Sequence, residues 1–123
     1  MIVGIGIDLV ELDRIEKSLD RFGKRFLERI MTQAEIDSAW GKEVEYAAGR
    51  FAGKEAASKA LGTGFAQGVT PRDFEILHLE SGKPTLNLHG KAKELAQQMG
   101  VKSTHISLTH SRQTAAAVAI LEA

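Results

Sequence analysis

The chain has 123 residues, a length that predicts a single domain over residues 1–123 with a modest hydrophobic core. Its 16 lysines and arginines balance its 16 aspartates and glutamates, so we expect no nucleic-acid and no membrane partner. The chain contains no cysteine, which excludes a disulfide framework and thiol chemistry and agrees with the cytoplasmic location that we expect. We find neither the basic region of a signal peptide nor an apolar run long enough to span a membrane.

The first element is an apolar, β-branched run. Residues 1–10 read MIVGIGIDLV, which predicts a buried strand that contains or ends close to Asp8. A carboxylate in such a strand needs a partner, because an unpaired buried charge is costly. Asp8 is therefore either a cap for the following helix or one member of a functional site.

A long amphipathic segment follows the strand. Apolar residues recur at spacings of three and four between residues 12 and 30, which predicts a helix that is bent or broken near Gly23. Arg14, Lys17 and Arg21 share one face of this helix, and acidic residues lie beside them. The mixture is typical of a solvated surface with i,i+4 pairs. The alternative is a basic stripe that docks an acidic helical partner.

The central helix has an unusual polar side. Thr32-x-x-Glu35 predicts a capping box for a short helix, and residues 43–61 then form a long helix that Gly62 ends. At 100° per residue, Glu55 and Lys59 lie one turn apart on one side, while Arg50 and Lys54 form a second i,i+4 pair on the flank. A carboxylate ringed by cations suits a metal and a polyphosphate, although ordinary i,i+4 ion pairs explain the same spacing.

The second half of the chain alternates strands and a helix. Residues 74–79 and 84–88 predict two strands joined by a turn, and residues 90–100 predict a helix. Strands are then expected at 104–109 and 114–121. This order predicts an α+β fold with a mostly antiparallel sheet packed with helices. The last strand is apolar on both faces, so it is either covered within one subunit or buried on one face against other subunits.

Four motifs occur in order along the chain: Gly6-Ile7-Asp8, Arg50-Phe51-Ala52-x-Lys54-Glu55-Ala56-x-Ser58-Lys59-Ala60-x-Gly62, Gly82-Lys83-Pro84 and Ser107-x-Thr109-His110-Ser111. With these motifs the chain resembles the small bacterial 4'-phosphopantetheinyl transferases, the holo-[acyl-carrier-protein] synthases, from Met1 to about Ile120. The resemblance implies transfer of 4'-phosphopantetheine from coenzyme A to a serine of apo acyl carrier protein, with release of 3',5'-ADP, in support of fatty acid biosynthesis. It also implies the fold of that family and a homotrimer with active sites between subunits.

The resemblance assigns roles to particular residues. It implies Mg²⁺ bound by Asp8 and Glu55, and acyl carrier protein docked on Arg14, Arg21 and Arg25. The catalytic residues would be Asp8, Glu55, Lys59 and His110. The coenzyme A contacts would be Arg50, Lys54, Ser58, Gly62, Gly82, Lys83, Pro84, Thr109 and His110. The general base stays open between Glu55, His110 and a metal-bound water.

Two other functions fit parts of the pattern. A trimeric binding module would hold a nucleotide or an acidic protein without catalysis, but docking alone does not call for a pair of carboxylates. Another Mg²⁺-dependent nucleotide enzyme, such as a pyrophosphohydrolase, would typically gather more than two carboxylates. Release of free phosphopantetheine into water would indicate that second alternative.

Overall fold

A computed structural model describes residues 1–123 as two antiparallel sheets and five α-helices. The elements in chain order are β1 (Ile2–Glu11), α1 (Leu12–Phe22), α2 (Lys24–Ile30), α3 (Gln33–Asp37), α4 (Glu43–Leu61), a 3-10 turn (Pro71–Asp73), β2 (Phe74–His78), β3 (Pro84–Leu88), α5 (Gly90–Gln98), β4 (Ser103–His110) and β5 (Thr114–Glu122). The α+β prediction is confirmed, as is the helix break at Gly23. None of the helices is both long and apolar enough to span a membrane.

The larger sheet has three strands in the order β1-β5-β4, and the smaller one pairs β2 with β3. The chain's last strand is thus the centre of the larger sheet. Its register places Asp8 opposite Ala117 on one side and Thr109 opposite Ala116 on the other. The strand that carries Asp8 and the strand that carries Thr109 are therefore separated by β5.

Helix α4 packs against the inner face of the larger sheet, and its contact side is built from small residues. Ala52, Ala56 and Ala57 are fully buried there. At Gly6 a Cβ atom would lie only 1.8 Å from the carbonyl oxygen of Ala56, and at Gly4 it would lie 2.1 Å from that of Ala60. The β1 backbone can approach the helix this closely only because both positions are glycine. This close approach brings Asp8 beside α4.

The opposite face of the larger sheet is largely uncovered, and it is apolar along β1 and β5. On β1, Ile5, Ile7 and Leu9 are between 63% and 69% exposed, so the predicted buried strand is buried on one face only. The expectation of a fully buried strand was wrong because residues alternate between two faces along β1. Gly4, Gly6 and Asp8 face α4, whereas the three large apolar side chains face outward. We use the name outer sheet face for the six apolar residues that share it: Ile5, Ile7, Leu9, Ala116, Val118 and Ile120.

Candidate active site

Asp8 and Lys59 form an ion pair between β1 and the last turns of α4. The ammonium Nζ of Lys59 donates to Oδ1 of Asp8 at 2.9 Å and to the carbonyl oxygen of Ile7 at 3.2 Å. The Asp8 side chain is 15% exposed and that of Lys59 is 53% exposed. The hydrogen bond and the charge of Asp8 raise the pKa of Lys59. Helix α1 begins after Glu11, so Asp8 is not its cap.

Glu55 lies one turn before Lys59 on the same helix, but the i,i+4 ion pair between them is not formed, because Lys59 binds Asp8 instead. Burial raises the pKa of Glu55, and the negative charge of Asp8 raises it further against the opposing charges of Lys59 and Arg14. The two carboxylates, one from β1 and one from α4, therefore interact electrostatically. A cation between them would offset their repulsion.

This pair of carboxylates fits magnesium. Mg²⁺ usually takes one or two protein carboxylates and completes its shell with water and substrate phosphates. The structure contains no cluster of three or more histidine, cysteine, aspartate or glutamate side chains of the kind that holds a metal by protein ligands alone. Asp8 and Glu55 are thus suited to an ion shared with a phosphate-bearing substrate.

Two further predicted residues of the central motif, Gly62 and Ser58, are a helix cap and a buried hydroxyl. Gly62 is the C-terminal cap of α4 with a φ of 89°, a left-handed conformation that favours glycine. Ser58 is fully buried, and its hydroxyl donates to the carbonyl oxygen of Glu55 at 2.7 Å. The Ser58 side chain thus faces the interior of the chain, and its contact with coenzyme A stays a prediction.

Lys54 has a structural role that the sequence did not reveal. It is fully buried, and its Nζ donates to Oε1 of Glu35 at 2.7 Å, to the carbonyl of Phe74 at 2.6 Å and to that of Pro71 at 3.1 Å. All three ammonium hydrogens are used within the chain, so none is left for a coenzyme A phosphate. Burial lowers the pKa of Lys54, and the charge of Glu35 opposes that shift. Lys54 joins structural elements and does not line the site.

Arg50 contacts His78, one member of a stacked aromatic pair that the sequence did not reveal. The rings of Trp40 and His78 have centroids 4.2 Å apart and an interplanar angle of 9°. The Arg50 guanidinium lies 4.1 Å from the centroid of Tyr46, and its Nη2 is 3.3 Å from Nδ1 of His78. Trp40 is 53% exposed, and a Cβ atom at Gly82 would lie 3.1 Å from its ring. Trp40 and His78 had no local signal, because they meet from distant segments.

His110 and Thr109 are exposed at the end of β4. His110 borders a cavity of about 360 Å³ that Trp40, Lys42 and Tyr46 also line. Since neighbouring strands are about 4.8 Å apart and β5 intervenes, β4 lies roughly 10 Å from β1. Within one chain, His110 is therefore not brought to Asp8.

The predicted basic stripe borders an open groove with an apolar floor, which we call the basic groove. Arg25 and Arg29 line a cavity of about 540 Å³ between α1, α2 and α4, together with Ser18, Phe22, Phe26, Ile30 and Phe51. Arg14 lies over the ring of Phe51 at 6.0 Å, and Arg21 lies over Phe22 at 5.1 Å. The structure thus groups the three predicted arginines around Phe22 and Phe51. The sequence placed Phe22 in the apolar pattern of the first helical segment and Phe51 in the central motif, without a role for either beside the arginines.

Comparison with known proteins decides the family. A family model described as the 4'-phosphopantetheinyl transferase superfamily matches residues 4–119. The chain belongs to this superfamily. A holo-[acyl-carrier-protein] synthase of Maridesulfovibrio salexigens is 58% identical over 123 residues, which cover 99% of both chains.

Solved structures of the superfamily have the same fold. The holo-[acyl-carrier-protein] synthase of Neisseria meningitidis superimposes with a TM-score of 0.91 at 37% identity, covering 100% of both chains. The Helicobacter pylori enzyme, solved in complex with coenzyme A, has a TM-score of 0.86 at 35% identity and covers 96% of this chain and 99% of its own. The predicted resemblance and fold are confirmed.

Within this superfamily member, the predicted site residues fall into separate groups. Asp8, Glu55 and Lys59 lie together where β1 crosses α4. Arg14, Arg21 and Arg25 lie together around the basic groove. A third group is near the exposed ring of Trp40 and comprises Gly82, which approaches that ring, and His110, which shares a cavity with it. Lys83 follows Gly82 in the turn, and Pro84 begins β3.

Proposed function

We infer that this chain transfers 4'-phosphopantetheine from coenzyme A to a serine of apo acyl carrier protein. The products are holo acyl carrier protein and 3',5'-ADP, and the reaction supports fatty acid biosynthesis. The observation that carries this conclusion is full-length identity of 58% to a holo-[acyl-carrier-protein] synthase. The coenzyme A complex of the Helicobacter pylori protein, which has the same fold, supports coenzyme A as the donor.

We propose that Asp8 and Glu55 hold Mg²⁺ during the reaction. When bound, the ion would neutralise charge on the pyrophosphate of coenzyme A. The negative charge of Asp8, which raises the pKa of Glu55, supports this assignment, since close like charges call for a cation. The Lys59 side chain is long and half exposed, so its ammonium can reach phosphate oxygens beside the two carboxylates.

In the transfer step, the serine oxygen of the carrier protein forms a bond to the β-phosphorus of coenzyme A. The bond from that phosphorus to the bridging oxygen breaks, and the electron pair leaves with 3',5'-ADP. The serine proton goes to a base of the enzyme, for which Glu55 and His110 are the protein candidates. Burial raises the pKa of Glu55, a direction that favours proton uptake by that carboxylate.

We propose a homotrimer with its active sites between subunits. The outer sheet face supports this, because Ile5, Ile7 and Leu9 form a contiguous apolar strip with Val118 and Ile120 that one chain leaves uncovered. The separation of the third group from Asp8 supports it as well. A neighbouring subunit would supply Thr109, His110, Gly82 and Lys83 to the Asp8 and Glu55 of the first.

The basic groove is the proposed docking surface for acyl carrier protein. Arg14, Arg21 and Arg25 would meet an acidic helix, while Phe22 and Phe51 offer apolar contacts between the charges. Charges at the rim of such an interface mainly set the association rate and partner choice. On the coenzyme A side, Lys83 is the proposed phosphate contact of the Gly82-Lys83-Pro84 segment, and Arg50 contacts His78 at the end of the preceding strand.

The direct test is intact-mass spectrometry of apo acyl carrier protein after incubation with the enzyme, coenzyme A and Mg²⁺. The expected result is a gain of one phosphopantetheine that a chelator abolishes and added Mg²⁺ restores. Free phosphopantetheine without a gain in carrier mass would indicate a hydrolase. Bound coenzyme A with no product of either kind would indicate a binding module.

A further inference from the structure

Lys59 forms an ion pair with Asp8, the carboxylate that the proposed function assigns to the metal. Its Nζ is 2.9 Å from Oδ1 of Asp8 and also binds the Ile7 carbonyl oxygen, so two acceptors of β1 hold it over the strand. It makes no ion pair with Glu55, although that residue is one turn away. The ammonium therefore neutralises the strand carboxylate and leaves the helix carboxylate without a direct cation.

A divalent ion on Asp8 would meet this ammonium at short range. Magnesium lies about 2.1 Å from its carboxylate oxygens. With Nζ at 2.9 Å from Oδ1, two cations on that oxygen would be at most about 5 Å apart. Like charges at that distance repel even in a polar medium. Binding the metal and keeping this ion pair are therefore opposed.

The Lys59 side chain is able to leave. It is 53% exposed, in contrast to Lys54, which three buried acceptors hold in place. An anionic pyrophosphate beside Asp8 would offer the ammonium a second partner. The same lysine would then serve as a counter-ion to Asp8 and as a phosphate contact, at different stages.

We propose that Lys59 is a built-in competitor of the divalent cation for Asp8, which keeps affinity for the free ion low until a pyrophosphate draws the ammonium away. The proposal rests on the proposed metal role of Asp8 and Glu55. It assigns Lys59 opposite effects on two steps: its side chain opposes binding of the metal alone and favours binding of the pyrophosphate. A lysine that only neutralised negative charge once metal and pyrophosphate are bound would not weaken binding of the metal in the absence of pyrophosphate.

The test measures Mn²⁺ binding to the trimer in the absence of coenzyme A, by electron paramagnetic resonance of the free ion. Lys59→Met should bind Mn²⁺ about 5-fold more tightly than the wild type, the scale of a partly exposed ion pair. Lys59→Arg retains the charge and should remain close to the wild type. Lys93→Met removes one positive charge from an exposed position on α5 and should also leave the affinity unchanged.

Two results would overturn the proposal, and they are distinguishable. If Lys59→Met binds Mn²⁺ no more tightly than the wild type while Asp8→Asn binds it more weakly, the competition is refuted and the proposed metal site stands. If Asp8→Asn leaves Mn²⁺ affinity unchanged, the metal assignment and the competition both fail. Circular dichroism of each variant verifies that the fold is intact.

Discussion

Lys54 and Glu35 form a fully buried ion pair, with Nζ 2.7 Å from Oε1 and no exposed surface on either side chain. Glu35 also accepts from the backbone N–H of Thr32 through Oε1 and from that of Ile76 through Oε2, both at 2.9 Å. One carboxylate therefore caps α3, anchors β2 and neutralises a lysine of α4. This junction holds the β2–β3 hairpin against the helix that carries Glu55.

Removing one partner of this pair should be severely destabilising. Lys54→Met leaves Glu35 charged and buried without its cation, so we expect the free energy of unfolding to fall by about 3–5 kcal/mol. Urea denaturation at a fixed protein concentration measures this. The matched control is Lys59→Met, which breaks a partly exposed pair and should cost less than about 1 kcal/mol. Similar losses in the two variants would contradict the structural role of Lys54.

Gly6 should tolerate no side chain. In Gly6→Ala the new Cβ would clash with the Ala56 carbonyl at 1.8 Å, forcing β1 away from α4 and moving Asp8 away from Glu55. We expect a loss of at least about 2 kcal/mol in unfolding free energy and weaker Mn²⁺ binding. The control is Gly49→Ala on α4, where the nearest atom is 4.0 Å away and alanine should stabilise the helix by about 0.5–1 kcal/mol. Equal stability of the two variants would refute this account of the strand–helix contact.

Glu75 should contribute stability that depends on pH. Burial raises its pKa, but the Thr32 hydroxyl at 2.6 Å and His89 at 3.1 Å outweigh burial and hold the pKa below the usual 4.5. Because the folded pKa is depressed, the stabilisation is fully present above pH 4.5 and is lost as the pH falls through the folded value. Wild type should exceed Glu75→Gln in unfolding free energy at pH 7, and the gap should close in acid. A gap that widens in acid would contradict this assignment.

A charge reversal in the basic groove should change the KM for carrier protein and not the KM for coenzyme A. Arg14→Glu reverses a charge beside Phe51, so we expect a rise of about tenfold or more in the KM for carrier protein with little change in the KM for coenzyme A. The wild-type KM for carrier protein should also rise with salt, and the variant should show a weaker dependence because Arg21 and Arg25 remain. Lys93→Glu, on the exposed side of α5, controls for net charge. Equal effects of Arg14→Glu on both KM values would exclude the groove as a carrier-specific surface.

The outer sheet face should determine assembly. Val118→Asp introduces a charge at the centre of this face, on the middle strand, and should dissociate the oligomer. Size-exclusion chromatography with light scattering should give the wild type at three times the chain mass of 13.3 kDa and the variant at a lower mass. Met99→Asp, at an exposed apolar position after α5, should leave the mass unchanged. A wild type that elutes at the mass of one chain would contradict the trimer.

Local patterns predicted most of the elements. The break at Gly23, the end of α4 at Gly62 and the capping box from Thr32 to Glu35 each depend on a few neighbouring residues, and all three are confirmed. The α+β class followed from the order of strands and helices. These features depend on backbone preferences that act over a single turn, so sequence alone can reveal them.

Features that depend on distant segments were not predictable in the same way. The spacing of Lys54 places it on one flank of α4 but cannot say that Glu35 and the β2 backbone cover that flank. The stack of Trp40 on His78 joins the connection between α3 and α4 to the end of β2, and these two segments share no local sequence pattern. Similarly, the apolar residues of β1 showed that the strand is hydrophobic without showing which face the chain itself covers.

The most direct test of the central claim is the transfer rate of Glu55→Gln at saturating Mg²⁺ and coenzyme A, followed by intact mass of the carrier protein. We expect a loss of about 100-fold or more, because the site loses one of its two metal carboxylates. Glu43→Gln, an exposed carboxylate in the first turn of the same helix, should retain the wild-type rate. A near-wild-type rate for Glu55→Gln would contradict the proposed metal site.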